Sequence, residues 1–208
     1  WKRHAGFDVV TYKGDGVAGR QLPHSLNKTP EMVWLKVRSH AGAGFIVGHK
    51  GLDGGNAPWT HFLALNNSDA EGDLHTIFND TAPTSTHLTL GTSSWVNYNT
   101  RDYIAMLFAS VEGISKVGYY TGTGSNQSVT TGFQPRFIFI KRTSYAEDWF
   151  IFDSLRGLVS GSPDPYLRPN ENAVQTTTAS FFDISSTGFT VTANFTNNAN
   201  NYIYYAHA

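Results

Sequence analysis

The grouping of apolar and polar positions is clearest across residues 135–158, PRFIFIKRTSYAEDWFIFDSLRGL, where two apolar runs flank a polar turn. Successive side chains of a strand point to opposite faces, so in PRFIFIKR the pair Phe137 and Phe139 takes one face and Ile138 and Ile140 the other. Both faces are apolar and both need cover, which predicts a strand inside a packed sandwich. The pattern has already been written once. Residues 30–52, PEMVWLKVRSHAGAGFIVGHKGL, align on it with Pro30 over Pro135, Lys36 over Lys141, Phe45 over Phe150 and Leu52 over Leu158.

The correspondence runs along the chain. A short β run at Val9 to Tyr12 leads into a turn with Gly14 and Gly16, where a positive φ costs little. It is matched by Tyr120, Gly122 and Gly124. STHLTL at 85–90 lies over STGFTV at 186–191, and YIAMLFA at 103–109 over YIYYAHA at 202–208. The offset falls from 108 (120 minus 12) through 105 and 101 to 99, as expected of one unit duplicated with loops of unequal length. Two repeats are predicted, 6–110 and 114–208, joined through VEGIS. Residues 1–5, WKRHA, are read as the end of an upstream stalk, because the chain opens on Trp1.

Strands are predicted in the first repeat at Val9 to Tyr12, Met32 to Val37, Phe45 to His49, His61 to Leu65, Thr76 to Phe78, His87 to Leu90 and Tyr103 to Phe108. The fold class is all-β: two tandem antiparallel β-sandwich repeats of jelly-roll or lectin-like size. YIAMLFA is apolar on both faces and is expected at the centre of its sheet.

Composition agrees. Ten Tyr and fourteen Phe, interspersed with Thr, Asn and Gly, suit pleated surfaces and turns better than helices. A formal charge of −1 without a basic run argues against nucleic acid as a partner. The absence of Cys removes disulfides, thiolate metal sites and a cysteine nucleophile. No apolar run reaches the length of a transmembrane helix, so membrane insertion is not expected, and the first residues do not read as a signal peptide.

No catalytic site is expected. Glu147, Asp148, Asp153, Asp164 and Glu171 show no spacing that ties two carboxylates to one cleft, and solvated turns account for them. His49, His61 and His75 lack metal-ligand spacing, so neither a metal nor another cofactor is expected. The Gly-rich TYKGDGVAG lacks the following helix that a phosphate cradle needs.

Aromatic residues in the loop that differs most between the repeats are the better candidates. Trp59 in APWTH and Tyr166 in DPYLR sit beside Pro, with Asn56, His61, Asp164, Arg168 and Asn170 nearby in sequence. An exposed ring offers a flat apolar face to a sugar, while amide, carboxylate and guanidinium groups fix its hydroxyls. These seven residues form the candidate ligand site; the alternative is that both rings fold back as plugs over the sandwich end. Trp34 and Trp149 follow the strand pattern and read as core or subunit interface, and Trp95 reads as part of a tight turn.

The segments FDVVTYKGDGVAGRQLPHSLNKTPEMVWLK, FNDTAPTSTHLTLG, GISKVGYYTGTG and GFQPRFIFIKRT, with DSLRG, PYLRPNENA, STGFTV and YIYYAHA, resemble the repeated C-terminal domains of bacteriophage tail-fibre proteins, many of them marine or cyanobacterial. The resemblance spans nearly the whole chain. It implies a module on the virion surface, a homotrimer that attaches to a host cell-surface glycan or protein. A purely structural part in contact with other virion proteins is the alternative, and a capsule depolymerase comes third.

Overall fold

The computed structural model describes residues 6–41, 44–193, 195 and 199–208. The expected stalk end at residues 1–5 lies outside them, as do residues 42–43, 194 and 196–198. The chain divides into two compact units. Unit 1 is Trp1–Asn66 with Glu71–Ser110; unit 2 is Asn67–Ala70 with Val111–Ala208.

Unit 1 contains β1 (Phe7–Lys13), β2 (Arg20–Pro23), β3 (Met32–Val37), β4 (Phe45–His49), β5 (His61–Ala64), β6 (Gly72–Asp73), β7 (His87–Leu90) and β8 (Asp102–Phe108). Its main sheet has the order β1-β8-β3-β4-β5-β6, and β2 pairs with β7 in a separate ribbon. Unit 2 contains β9 (Ser115–Thr121), β10 (Gln127–Thr130), β11 (Phe137–Arg142), β12 (Trp149–Asp153), β13 (Pro165–Tyr166), β14 (Thr176–Thr177), β15 (Phe182–Ser185), β16 (Gly188–Val191) and β17 (Asn201–His207). Its main sheet reads β9-β17-β11-β12, beside a β10-β16-β15 sheet and a β13-β14 ribbon. Every pairing is antiparallel. The fold is all-β, built from several antiparallel sheets.

The main sheets share one strand order, and the links around them repeat bond for bond. Glu31 N donates to Phe108 O as Arg136 N does to His207 O; Gly14 N donates to Arg101 O as Gly122 N does to Asn200 O. Tyr12 stacks on Tyr103 at 5.1 Å and Tyr120 on Tyr202 at 4.9 Å. Thr100 and Ala199, 99 positions apart, both carry a positive φ, at 75° and 59°. A β-branched residue seldom adopts that conformation, so the turn's geometry is imposed by its surroundings.

Period-two alternation sets each core. Val33, Leu35 and Val37 of β3 point between the main sheet and the β2-β7 ribbon, meeting Leu22, Leu88 and Leu90. In unit 2, Ile138 and Ile140 of β11 meet Phe150 and Phe152 of β12 and, from the second sheet, Phe182 and Phe189. β8 lies between two strands, as its two apolar faces predict, and so does its counterpart β17. The other face of β11 is also covered: Phe139 stacks on Trp149 at 4.8 Å and both are buried.

Three expectations are corrected. Thr76 to Phe78 is not a strand: Ile77 N donates to Leu74 O and Asn79 N to His75 O in successive turns, with Asn79 and Asp80 at positive φ. β2 and β10 are strands that the pattern did not predict. Phe45 corresponds to Trp149 and not to Phe150, because Phe45 pairs with Lys36 and Trp149 with Lys141. A one-residue slip exchanges the faces of a strand. Trp149 accordingly shares a face with Lys141, while Phe150 turns into the core.

Candidate functional site

In unit 1 the divergent loop opens with a short 3-10 turn at Leu52–Gly55. Asn56 closes it, its side-chain amide donating to Asp53 O at 2.8 Å. Trp59 is only 8% exposed and stands edge-on against Phe78 at 5.3 Å. Gly48 makes the room: a Cβ there would lie 2.8 Å from the indole Cζ3. The ring is a plug, which corrects the expectation of a sugar-facing indole. Its edge helps line an open cleft of about 420 Å³ with Lys28, Pro30, Glu31 and Lys50, where the Lys50 ammonium binds Glu31 at 2.5 Å. Burial opposes ionisation of Glu31, but the hydrogen bonds from Lys50 and Ser110 outweigh it and hold its carboxyl below the usual range. His61 lies on β5 with Nδ1 against Thr60 Oγ1 at 2.7 Å.

In unit 2 the predicted residues separate into two groups. Tyr166 packs edge-on against Phe150 at 5.3 Å and Phe181 at 5.7 Å, so this ring too is a plug. Asp164 is fully buried; its Oδ2 accepts the amides of Phe181 and Phe182 at 2.6 and 2.9 Å and its Oδ1 meets no partner. Burial pushes its carboxyl up. Arg168 and Asn170 converge on Asp148, at 3.3 and 2.8 Å, and Arg168 also reaches Glu171 at 3.1 Å. Asn170 Oδ1 accepts from Trp149 N at 2.9 Å, which ties this loop to the start of β12. The group braces the loop through satisfied contacts.

Two other clusters invite a chemical reading. Asp8, His24 and Ser25 lie together, yet the Ser25 hydroxyl donates directly to Asp8 at 3.0 Å while the His24 nitrogens face Thr84 O and Leu26 N. With the imidazole off the serine, this is not a proton relay. Lys141 is buried, its Nζ donating to Glu147 O at 2.5 Å and Ser68 O at 3.2 Å. Burial brings its amine down to about 8, against the opposing pull of Glu147. Among the described residues no three His, Asp or Glu side chains are grouped to hold a metal ion.

Among the described residues the exposed aromatic rings are Tyr119, Tyr145, Trp95 and Tyr98, and the last two share one loop, between β7 and β8. Asn97 is buried at its centre; its Nδ2 donates to Asp15 Oδ1, Val17 O and Gly91 O at 3.0 to 3.1 Å, and its Oδ1 accepts from Asp15 N at 3.1 Å. Tyr12 donates to Val96 O at 2.7 Å; the Tyr103 hydroxyl donates to Ser94 O at 3.0 Å and accepts from Tyr98 N at 2.7 Å. Burial raises both phenols, so they stay protonated donors at neutral pH. With its backbone fixed, the loop presents Trp95, 40% exposed, and Tyr98, 51% exposed. Phe62 props the indole at 5.7 Å, and the Arg101 guanidinium lies 4.6 Å from the Tyr98 centroid. A single Trp in a polar turn carried no sequence signal separating platform from plug.

Fold and surface together define an all-β protein of two units with aromatic, partly charged loops. Residues 2–208 match a domain of unknown function, DUF7483, and the chain belongs to that family. Comparison with curated proteins and with solved structures returned no match.

Proposed function

We propose that this chain is a non-enzymatic attachment module of a phage virion, a tail-fibre or related surface part that binds a host cell-surface glycan through its loops. The observation that carries this reading is one strand order with unequal loops: β1-β8-β3-β4 and β9-β17-β11-β12 hold the same framework, while the loops hung on it differ in length and chemistry. Repeated scaffolds with divergent loops can vary a binding surface at no cost to the core. The resemblance to tail-fibre C-terminal domains supports it independently. Within the reading, the two units are tandem sandwiches of jelly-roll or lectin type that arose by duplication, and the assembled form is a homotrimer.

Adsorption of the purified chain to susceptible and resistant bacteria tests it, with mass measured in solution alongside. Selective retention by susceptible cells is expected; equal retention by both would overturn the proposal.

The second reading, a structural virion part contacting only its neighbours, is favoured by Leu155 and Val174, which are 90% and 86% exposed. Full burial of each side chain by a neighbouring subunit would gain about 1.5–3 kcal/mol. A map of the intact particle with both covered would decide for it.

A further inference from the structure

We propose that the loop between β7 and β8 is a binding site for an anionic pyranose, a hexuronate unit of a surface polysaccharide, with Trp95 and Tyr98 as the apolar platform and Arg101 as the group that takes the sugar carboxylate. This deepens the attachment reading and rests on it for its biological setting, though the site is defined by its own chemistry.

Platform, charge and rigidity carry the argument. The apolar C–H face of a pyranose packs on exposed aromatic rings, and Trp95 and Tyr98 are the two large exposed rings on this loop. Charge then selects the sugar. Arg20, Arg142, Arg156 and Arg168 each face a carboxylate of their own unit. Arg101 instead spreads over the Tyr98 ring and reaches Ser94 O at 3.4 Å, with no carboxylate at ion-pair distance among the described residues. A guanidinium set on an aromatic face and bonded to the carbonyl of Ser94, the residue before Trp95, is matched to a planar carboxylate, which it can grip with two parallel hydrogen bonds. Rigidity follows from the buried Asn97 and the tyrosine pair Tyr12 and Tyr103, which hold the backbone at residues 91, 94, 96 and 98. A preformed loop loses little conformational freedom on binding.

The experiment titrates the whole chain, at low ionic strength, with an oligogalacturonate hexamer and with the neutral maltohexaose, following the indole N–H resonances. The uronate is expected to shift the Trp95 indole selectively. Trp95→Ala and Arg101→Gln should each weaken uronate binding about tenfold or more, and Arg101→Lys less, since an ammonium keeps the charge but loses the fork. Thermal melts of all three variants must match wild type; should Trp95→Ala melt early, Tyr98→Ala takes its place. An unmoved Trp95 indole, wild-type affinity in both variants, or equal affinity for the neutral hexamer overturns the proposal. The attachment reading is separable: cell adsorption that survives Trp95→Ala and Arg101→Gln sinks this site alone, whereas uronate binding without selective adsorption sinks the attachment reading alone.

Discussion

Asp164 and Lys141 are buried side chains whose charge the fold opposes, and each gives stability a pH dependence of known sign. Asp164 is pushed up by burial even though two amides donate to it. The folded chain therefore holds this proton more tightly than the unfolded chain, so the contribution is present at pH below the ordinary aspartate value and is lost as pH rises through the raised one. Asp164→Asn keeps an acceptor for the amides without the charge. It should stay within about 1 kcal/mol of wild type at pH 7, while Asp164→Ala, which orphans two buried amides, should cost about 2–4 kcal/mol in urea unfolding. Lys141 has the opposite arithmetic. Its amine is brought down from 10.5 to about 8, so between those values the unfolded chain carries a proton that the folded chain has shed, and stability rises with pH. Urea midpoints should increase from pH 7.5 to 9.5 in wild type, and the increase should shrink in Lys141→Met.

Turns position the elements and carry the least redundancy. Gly14 follows β1, and a Cβ there would stand 2.1 Å from Tyr98 O and 2.9 Å from the Tyr103 ring. Backbone on one side and a packed ring on the other leave no room to yield. Gly14→Ala should cost at least about 1–3 kcal/mol, and hydrogen exchange should quicken first at Tyr98 N, whose acceptor is the displaced Tyr103 hydroxyl. Sequence made much of this level legible: Tyr12, Gly14 and Gly16 announced their counterparts at 120, 122 and 124, and the strands at 32–37, 45–49 and 87–90 follow from short apolar runs bounded by turn residues. The misses have physical reasons. RQLP and QSVT are too short and polar to read as strands, since each sends a single apolar residue, Leu22 or Val129, to the core. WFIF is apolar at every position, so its register is fixed only by the partner strand. Trp59 and Trp95 look alike in their loops; what separates plug from platform is Gly48 and Phe78, brought to Trp59 by folding.

At the scale of the whole molecule, the units are not cut at one point in the chain, since Asn67–Ala70 belongs with unit 2. Ser68 O accepts Glu147 N at 2.8 Å and Lys141 Nζ at 3.2 Å, so a residue from the first half of the sequence completes the hydrogen bonding of a buried lysine and a turn amide in the second. A fragment of residues 111–208 keeps the β9-β17-β11-β12 sheet and its core but lacks that acceptor. A buried donor left unpaired costs about 1–3 kcal/mol. The fragment should therefore fold with native-like sheet content yet unfold at lower urea than unit 2 within the full chain, and the Glu147 amide, protected in the full chain, should exchange rapidly. Lys141→Met in the fragment should recover part of the loss, because it removes the donor whose partner has gone. Full protection of the Glu147 amide in the fragment would mean that Ser68 is not its acceptor and that unit 2 is complete from Val111 onward.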